Sequence, residues 1–323
     1  MRILLVKTSS LGDVVHNLPL VTDLARRVPG ATIDWLVEEG FADIPRLHPA
    51  VGRIIPVAVR RWRRHLFSAA TWHGIAAFRR ELRREAYDRV LDSQGLIKSA
   101  LLGAQARLAP GGQRCGYGRE AAREPLAARF YHRGYGIPRN AHAVERNRWL
   151  AAAAFDYTPD LPLDYGIAAP PLAADWLPTD RPYAVLLTGT SRADKLWPED
   201  HWQTLMQALT GAGLGLVLPA GSAEERQRAT RLAAMVPGAL VAPPMAVAQL
   251  AGLCAGAALV VGLDTGLTHL AAALGRPTLA LFSGSDPSLT GVHAGPGALN
   301  LGGAGQPPAP AVVIAAALDL LAS

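Results

Sequence analysis

Val260-Val261-Gly262-Leu263-Asp264-Thr265-Gly266-Leu267-Thr268-His269-Leu270 is the stretch on which the fold turns. A continuous apolar run reads as a strand buried on both faces, and Asp-Thr-Gly carries it straight into an apolar helical pattern. That junction belongs to a βα unit of a parallel sheet. The first amides of such a helix, from Thr265, Gly266 and Leu267, have no intrahelical acceptor and form a ready anion site. Asp264 or Thr265 fits equally well as an N-cap, and His269 as a satisfied core histidine.

The same junction recurs in both directions along the chain. Apolar runs at Ala184–Leu187, Leu214–Leu218, Leu259–Val261 and Thr278–Phe282 predict strands, with helices near 198–210, 223–235, 246–254 and 266–274. Upstream, Ile3–Val6, Ile33–Val37, Ile54–Val57 and Arg89–Leu91 predict a first set, each followed by a loop and, in most cases, an amphipathic segment. Alternation of this kind implies α/β architecture with parallel sheets. Between the sets, Tyr157 to Pro182 is rich in proline and aspartate and lacks helical periodicity, as a linker would. A chain of 323 residues that is 50% hydrophobic supports two cores of about 150 residues each. We expect domains at 1–165 and 166–323, each a doubly wound sheet whose ligands bind beyond the carboxyl ends of the strands.

Several classes are excluded. Cys115 and Cys254 match no metal-ligand or CxxC spacing, so neither a disulfide framework nor a zinc site is expected. The apolar run at the N-terminus is too short for a signal-peptide core. The uncharged stretch Val241–Leu263 has the length of a membrane span, but Pro243, Pro244, Gly252, Gly256 and Gly262 break it, and it reads as a helix and a buried strand. A cytosolic location fits best. Residues 1–165 hold 25 Lys and Arg against 16 Asp and Glu, a net of +9, whereas residues 166–323 hold 7 against 10, a net of −3. The basic half calls for an anionic partner. No helix-turn-helix, zinc-finger or RNP signature accompanies it, and a nucleic-acid binder would spread its charge over both halves, so a phosphorylated sugar or an acidic membrane surface suits it better.

Two further loops occupy strand ends. Lys7-Thr8-Ser9-Ser10-Leu11-Gly12-Asp13 joins the first strand to a helix expected near Val14; it has neither GxGxxG nor P-loop spacing. Asp13 fits a helix N-cap, and it fits a general base at a cleft floor. Leu187-Thr188-Gly189-Thr190-Ser191-Arg192-Ala193-Asp194-Lys195-Leu196-Trp197-Pro198 ends a strand, turns on small hydroxyl residues, supplies a lysine and starts a helix at Pro198. Thr190, Ser191 and Lys195 are the short donors and mobile cation that a diphosphate needs; a solvated turn explains them equally well.

Taken in order, KTSSLGDV (Lys7–Val14), WLVEEGF (Trp35–Phe41), RRWR (Arg60–Arg63), DSQGLIKS (Asp92–Ser99), REPLA (Arg123–Ala127), HAVER (His142–Arg146), KLWP (Lys195–Pro198) and DTGLTHL (Asp264–Leu270) resemble the lipopolysaccharide heptosyltransferase I family over roughly residues 1–290. The heptosyltransferase II pattern fits the first and third loops less well. The resemblance implies a GT-B fold of two facing Rossmann-like domains, with the acceptor on the N-terminal one and ADP-heptose on the C-terminal one. A final helix is sought in Ala309–Leu321 and could pack back on the N-terminal domain. It implies inverting transfer of L-glycero-D-manno-heptose from ADP-L-glycero-β-D-manno-heptose to the inner Kdo of Kdo₂-lipid A. The enzyme would need no cofactor and no metal, and would sit peripherally on the cytoplasmic face of the inner membrane. No Asp-x-Asp occurs in the chain, which agrees with the metal expectation.

By the same resemblance Asp13 is the catalytic base. Thr190, Ser191, Lys195, Glu225, Asp264, Thr265, Gly266 and His269 hold the donor, with Glu225 on the ribose, although Glu224 stands beside it. Ser10, Arg60, Arg61, Arg63, Arg64, Gln94, Arg123, His142 and Arg146 face the acceptor, where arginines can pair bidentately with carboxylate or phosphate. Arg79, Arg80, Arg83 and Arg84 read instead as a solvated helical face. Trp62, Phe67 and Trp72 suit either a core or a membrane interface. Other classes stay open: a later core heptosyltransferase, separated by its acceptor, and a non-catalytic nucleotide-sugar binder, which would not need Asp13.

Overall fold

The computed structural model describes every residue of the chain except Thr179, Ser191 and Ser323. It divides into two compact units, Met1–Ile167 and Ala168–Ser323.

In the first unit β1 (Arg2–Val6), α1 (Leu11–Val15), α2 (Leu18–Arg27), β2 (Thr32–Glu38), α3 (Asp43–Arg46), β3 (Val51–Val57), α4 (Val59–Arg64), α5 (Ala69–Leu82) and β4 (Ala86–Asp92) follow one another. Then come α6 (Ile97–Ala104), β5 (Arg107–Tyr117), β6 (Arg133–Tyr135) and α7 (Ala143–Phe155). The second unit contains β7 (Tyr183–Leu187), α8 (Glu199–Gly211), β8 (Gly215–Leu218), α9 (Ala223–Met235), β9 (Ala239–Val241), α10 (Val247–Ala255) and β10 (Leu259–Leu263). It closes with α11 (Gly266–Ala273), β11 (Thr278–Phe282), α12 (Pro287–Thr290), β12 (Ala298–Gly302) and α13 (Pro310–Ala322).

Both sheets are six-stranded, in the orders β3-β2-β1-β4-β5-β6 and β12-β11-β10-β7-β8-β9, and every pairing between neighbours is parallel. Counted from the first strand of each unit, the two orders are the same doubly wound order. Strand order therefore reverses between β1 and β4 in one unit and between β7 and β10 in the other, where such sheets open a crevice for ligands.

The strands earn these central places by being apolar on both faces. Alternate residues of the second sheet divide between two cores. Ala184, Leu186, Leu216, Leu218, Val261 and Leu263 pack with Trp202, Leu205, Leu232 and Val313 of α8, α9 and α13. Val185, Leu187, Val217 and Val260 pack with Leu253 and Ala271 of α10 and α11. Trp197 and Trp202 meet edge to face at 5.2 Å, and the Trp197 indole donates to the carbonyl of Pro308, 2.9 Å away, fixing the approach to α13.

Buried ionic groups interrupt the first unit. Asp34, fully buried in β2, accepts the Tyr87 hydroxyl at 2.9 Å and faces Arg2 and Arg53 at 3.3 and 3.4 Å. Arg148 of α7 pairs with Asp23 of α2 at 2.8 Å and donates to the carbonyl of Leu161, fastening the segment after α7. Arg26 and Arg27 hold Asp164 and Asp160 of the same segment. The early part of the expected linker is thus bound to the first unit.

Two expectations need correction. The first helix begins at Leu11 rather than near Val14, because the Asp13 carboxylate, in the first turn, reaches back to accept the Ser10 amide at the helix start. Strands β5, β6, β9 and β12 were not foreseen. They are the outer strands, partly exposed, short or broken by Pro110, Gly111 and Gly112, and so lack an apolar run.

His48 offers a test of this packing. Its Nδ1 accepts the Ala50 amide at 3.1 Å, so Nε2 carries the proton given to Thr22 Oγ1 at 2.9 Å. Gly166, at φ +64°, lies against both: a Cβ there would come within 2.5 Å of either atom. Burial pushes the His48 imidazole down from 6.5 to about 4, against a small opposing pull from Asp164. Its folded pKa lies below the unfolded value, so the unfolded chain takes the proton first. This group's contribution is complete above about pH 6.5 and is lost as pH falls towards 4, at no more than ~1.4 kcal/mol per pH unit. Urea denaturation between about pH 7.5 and about pH 5 should show a shallower pH dependence for His48→Gln than for the native chain. Equal slopes would refute the assignment.

Candidate functional site

Each unit gathers its polar residues where its strand order reverses. In the first, β1 ends at Val6 and β4 at Asp92, and the loops after them interlock. Gln94 Oε1 accepts from the Thr8 amide at 2.8 Å and the Thr8 hydroxyl at 2.7 Å, while Nε2 donates to the Ser9 carbonyl at 3.0 Å. Asp92 accepts from the Gln94 and Gly95 amides and from the Tyr131 hydroxyl, at 2.8, 3.2 and 2.8 Å. Burial pushes the Asp92 carboxyl up, and these donors oppose it. Gln94, expected to face an acceptor, spends its amide on the loop that carries Asp13.

Asp13 Oδ2 accepts from the Ser10 amide at 2.8 Å and the Ser10 hydroxyl at 2.9 Å. Both bonds fall on one oxygen; Oδ1 accepts none among the described residues. Lys7 is buried beneath this loop and donates to the Ser93 carbonyl at 2.8 Å and to Asn147 Oδ1 at 3.4 Å. Burial pushes its ammonium down, while the charges of Asp13 and Asp92 pull the other way. Sequence reasoning missed Lys7 as part of the site, since a lysine just past a strand gives no sign of the distant loop and helix that it joins.

The remaining first-unit candidates fall into four settings. Arg146 donates to the carbonyls of Pro138 and Ala121 at 2.9 and 2.8 Å and lies 4.9 Å over the Tyr117 ring. His142 caps α7 by accepting the Val144 amide, and its ring meets that of His16 at 5.5 Å. Arg60 stacks 5.1 Å over Phe41 and its amide binds Glu38, and Arg61 pairs bidentately with Glu39 at 3.0 and 2.9 Å. Arg63 and Arg64 are exposed on α4, and Arg123 is exposed near Gly95.

In the second unit the loops after β7 and β10 converge on Asp264. Lys195 Nζ donates to Asp264 Oδ2 at 2.5 Å, Ser285 donates to the same oxygen at 2.6 Å, and His269 Nε2 stands 3.6 Å from Oδ1. Burial raises the Asp264 carboxyl, but the nearby His269 and the donors Lys195 and Ser285 outweigh it and hold the group well below the usual carboxylate range. Ser285 lies beyond β11 and was not foreseen. Gly284 beside it makes the approach possible, since a Cβ there would strike the Asp194 carbonyl at 2.6 Å. Gly266 opens α11 and Thr265 caps it without a side-chain bond, so the first-turn amides keep their anion-binding geometry.

Beside this cluster, a cavity is lined by Leu187, Pro219, Pro243, Met245, Leu250 and Leu267, with Gly189, Gly221, Thr265 and Glu225 as its polar rim. Glu225 Oε2 accepts from the Gly221 and Ser222 amides at 2.8 and 3.2 Å. Glu225, and not Glu224, is the residue lining the cavity. The apolar walls escaped sequence reasoning, because a lone Pro243 or Met245 in a loop carries no chemical signature. Thr190 lies in the loop after β7; Ser191 falls outside the described residues. Apolar walls, a carboxylate, a lysine and a helix N-terminus together suit a planar ring, a diol and a diphosphate.

Comparisons with known proteins agree with this chemistry. The family model of glycosyltransferase family 9 (heptosyltransferase) matches residues 75–310. Lipopolysaccharide heptosyltransferase 1 of Pseudomonas aeruginosa is 49% identical over 295 residues, covering 91% of this chain and 81% of its own. The structure of E. coli heptosyltransferase WaaC with ADP superposes with a TM-score of 0.90 at 42% identity, covering 99% of this chain and 100% of that one. WaaC with ADP-2-deoxy-2-fluoro heptose gives 0.81 at 44% identity over 94% of each.

The Gln94 clamp yields a prediction that stands apart from activity. Gln94→Leu leaves the buried Thr8 amide without its acceptor, at a cost of about 1–3 kcal/mol. Amide hydrogen exchange across residues 8–13 should accelerate about tenfold or more, with β7 unchanged. Unaltered protection there would remove Gln94 from its positioning role.

Proposed function

The chain belongs to glycosyltransferase family 9, the heptosyltransferases, and on that premise we propose that it moves L-glycero-D-manno-heptose from ADP-heptose to the inner Kdo of Kdo₂-lipid A in the lipopolysaccharide inner core. The observation that carries the donor half of this reading is the convergence of Lys195, Asp264 and the α11 N-terminus beside the Glu225 cavity. Adenine fits against Pro243, Met245 and Leu267, the ribose hydroxyls against Glu225, and the diphosphate against Thr190, Lys195 and the amides of Thr265 and Gly266. Asp264 and His269 then lie next to the heptose and the phosphates. Binding of ADP by the WaaC relative supports this assignment.

Asp13 serves as the base. Its carboxylate takes the proton of the acceptor hydroxyl as that oxygen attacks the anomeric carbon, and the bond from that carbon to the β-phosphate oxygen breaks, releasing ADP. One displacement on the face opposite the leaving group inverts the centre. The capping bonds from Ser10 fix the carboxylate's rotamer and leave Oδ1 for the proton. Lys195 and the α11 amides stabilise the growing phosphate charge, a task worth about 2.7–4 kcal/mol per well-placed donor in comparable sites. These fixed cations and dipoles supply what a metal would otherwise supply, so we assign a metal-independent reaction with no cofactor. Arg60, Arg61, Arg63, Arg64, Arg123, His142 and Arg146 match the carboxylates and phosphates of the acceptor. No helix among the described residues is long and apolar enough to cross a membrane, so contact with a bilayer-borne acceptor on its cytoplasmic face is peripheral in this reading.

Mass spectrometry of Kdo₂-lipid A after incubation with ADP-heptose in EDTA should show a gain of one heptose. No gain, with donor still bound, would move the acceptor to a later core sugar or leave only a binder. Asp13→Asn should lower turnover by roughly 100- to 10,000-fold and leave donor affinity unchanged; a large loss of donor binding would sink the base assignment. Calorimetric titration with ADP discriminates the adjacent carboxylates. Glu225→Ala should weaken binding by about tenfold, whereas Glu224→Ala should not; the reverse order would shift the ribose contact by one residue.

A further inference from the structure

The sequence left Trp62, Phe67 and Trp72 undivided between core and membrane interface, and the structure divides them. Trp62 is buried against Phe78, with ring centroids 5.7 Å apart. Phe67 is 103% exposed, with nothing packed on its ring, and Trp72 and Leu66 are 61% and 50% exposed. Their arrangement is fixed rather than frayed, because the Trp72 indole donates to the Leu66 carbonyl at 3.0 Å. Every residue from Arg63 to Ala70 is exposed. Other exposed large apolar side chains, such as Met235 on α9 and Leu318 on α13, have no such aromatic neighbours in sequence.

Charge decides what covers this tip. From Val59 to Arg80 the chain holds six arginines and no aspartate or glutamate. Glu39 engages Arg61 and the Arg60 guanidinium lies on Phe41, whereas Arg63, Arg64 and His65 project beside the apolar tip. An exposed Phe and Leu, an indole with a polar end and unopposed arginines form the combination that seats in a headgroup region: rings at the acyl boundary, guanidinium groups among phosphates. Placement agrees. Segment α4 follows the carboxyl end of β3 and is tied to Glu38 and Glu39 at the end of β2, so the tip rises from the same rim of the first sheet as the Asp13 loop.

We propose that Leu66, Phe67 and Trp72, flanked by Arg63, Arg64 and His65, form a docking face for an anionic lipid bilayer, which brings the rim bearing Asp13 to a membrane-borne acceptor. This rests on the acceptor reading above for its purpose, and its test is independent of that reading. The whole protein is mixed with phosphatidylglycerol-containing vesicles or with pure phosphatidylcholine vesicles, and the bound fraction is measured by co-sedimentation. The native chain should bind the anionic vesicles, more weakly as salt rises, and bind the neutral ones poorly. Phe67→Ser removes a ring that touches nothing in the fold. It should weaken anionic-vesicle binding by about tenfold or more, while Met235→Ser should leave it intact. Turnover of the deacylated, water-soluble acceptor should be unchanged in Phe67→Ser and turnover of vesicle-borne acceptor reduced.

Vesicle binding by Phe67→Ser equal to the native chain's overturns the proposal. So does a native chain that self-associates in lipid-free buffer when Phe67→Ser does not, since the face would then belong to a second copy. Vesicle binding that follows the expected pattern with no turnover of either acceptor supports the docking face and overturns the acceptor reading alone.

Discussion

Parallel pairing of strands that are apolar on both faces governs everything else in this protein. Leu4 and Leu5, or Val260 and Val261, point to opposite sides of their sheets, and both sides are covered. No face of these central strands is left for a working polar group, so chemistry is confined to their ends. Lys7 and Asp92 come directly at the ends of β1 and β4, and Thr188 and Asp264 at those of β7 and β10. Because both units use one strand order, each has a single place where two such ends separate around a crevice. The same constraint explains the cost of exceptions: Asp34 within β2 is matched by Tyr87, Arg2 and Arg53.

At those ends, capping and the proposed roles are compatible rather than rival explanations. Asp13 caps α1, Glu225 caps α9, and His142 caps α7. A capping bond settles a side chain's rotamer before any ligand arrives, and a positioned carboxylate loses little freedom when it is used. Asp13 and Glu225 each spend one oxygen, Oδ2 or Oε2, on backbone amides. Asp264 follows a different logic: its partners are Lys195, Ser285 and the nearby His269. An anion arriving at the α11 N-terminus would compete with Asp264 for Lys195, so the resting cluster keeps a half-buried cation compensated until a ligand replaces its partner.

The fold was legible wherever burial on two faces wrote a continuous apolar run. Ile3–Val6, Ala184–Leu187 and Thr278–Phe282 are strands close to the expected limits, and α9 spans its expected 223–235. Outer strands lacked that signature: β9 is three half-buried residues, and β5 carries Pro110, Gly111 and Gly112 where its register with β4 shifts. In the site, residue types were readable and partnerships were not. The motif containing Gln94 was quoted, yet its amide turns inward to Thr8 and Ser9, a relation between loops 85 residues apart. The walls at Pro219, Pro243 and Met245 come from two loops joined only by strand order, and Ser285 reaches Asp264 because Gly284 lets two loops touch.

The arginine cluster shows why a charge count describes the first unit incompletely. Six arginines between Val59 and Arg80 contribute most of that half's excess, but the fold sorts them. Arg60 and Arg61 are restrained by Phe41 and Glu39, so their charge is partly compensated and their geometry set. Arg79 and Arg80 lie exposed near the far end of α5, as their helical spacing implied. Arg63 and Arg64 keep rotamer freedom on a short helix anchored by the buried Trp62. A restrained guanidinium suits a small ligand of fixed shape, whereas an unrestrained one suits a surface whose phosphates move. The single turn from Arg60 to Arg64 thus passes from one kind of anion recognition to the other, with Trp62 turned inward to hold both in place.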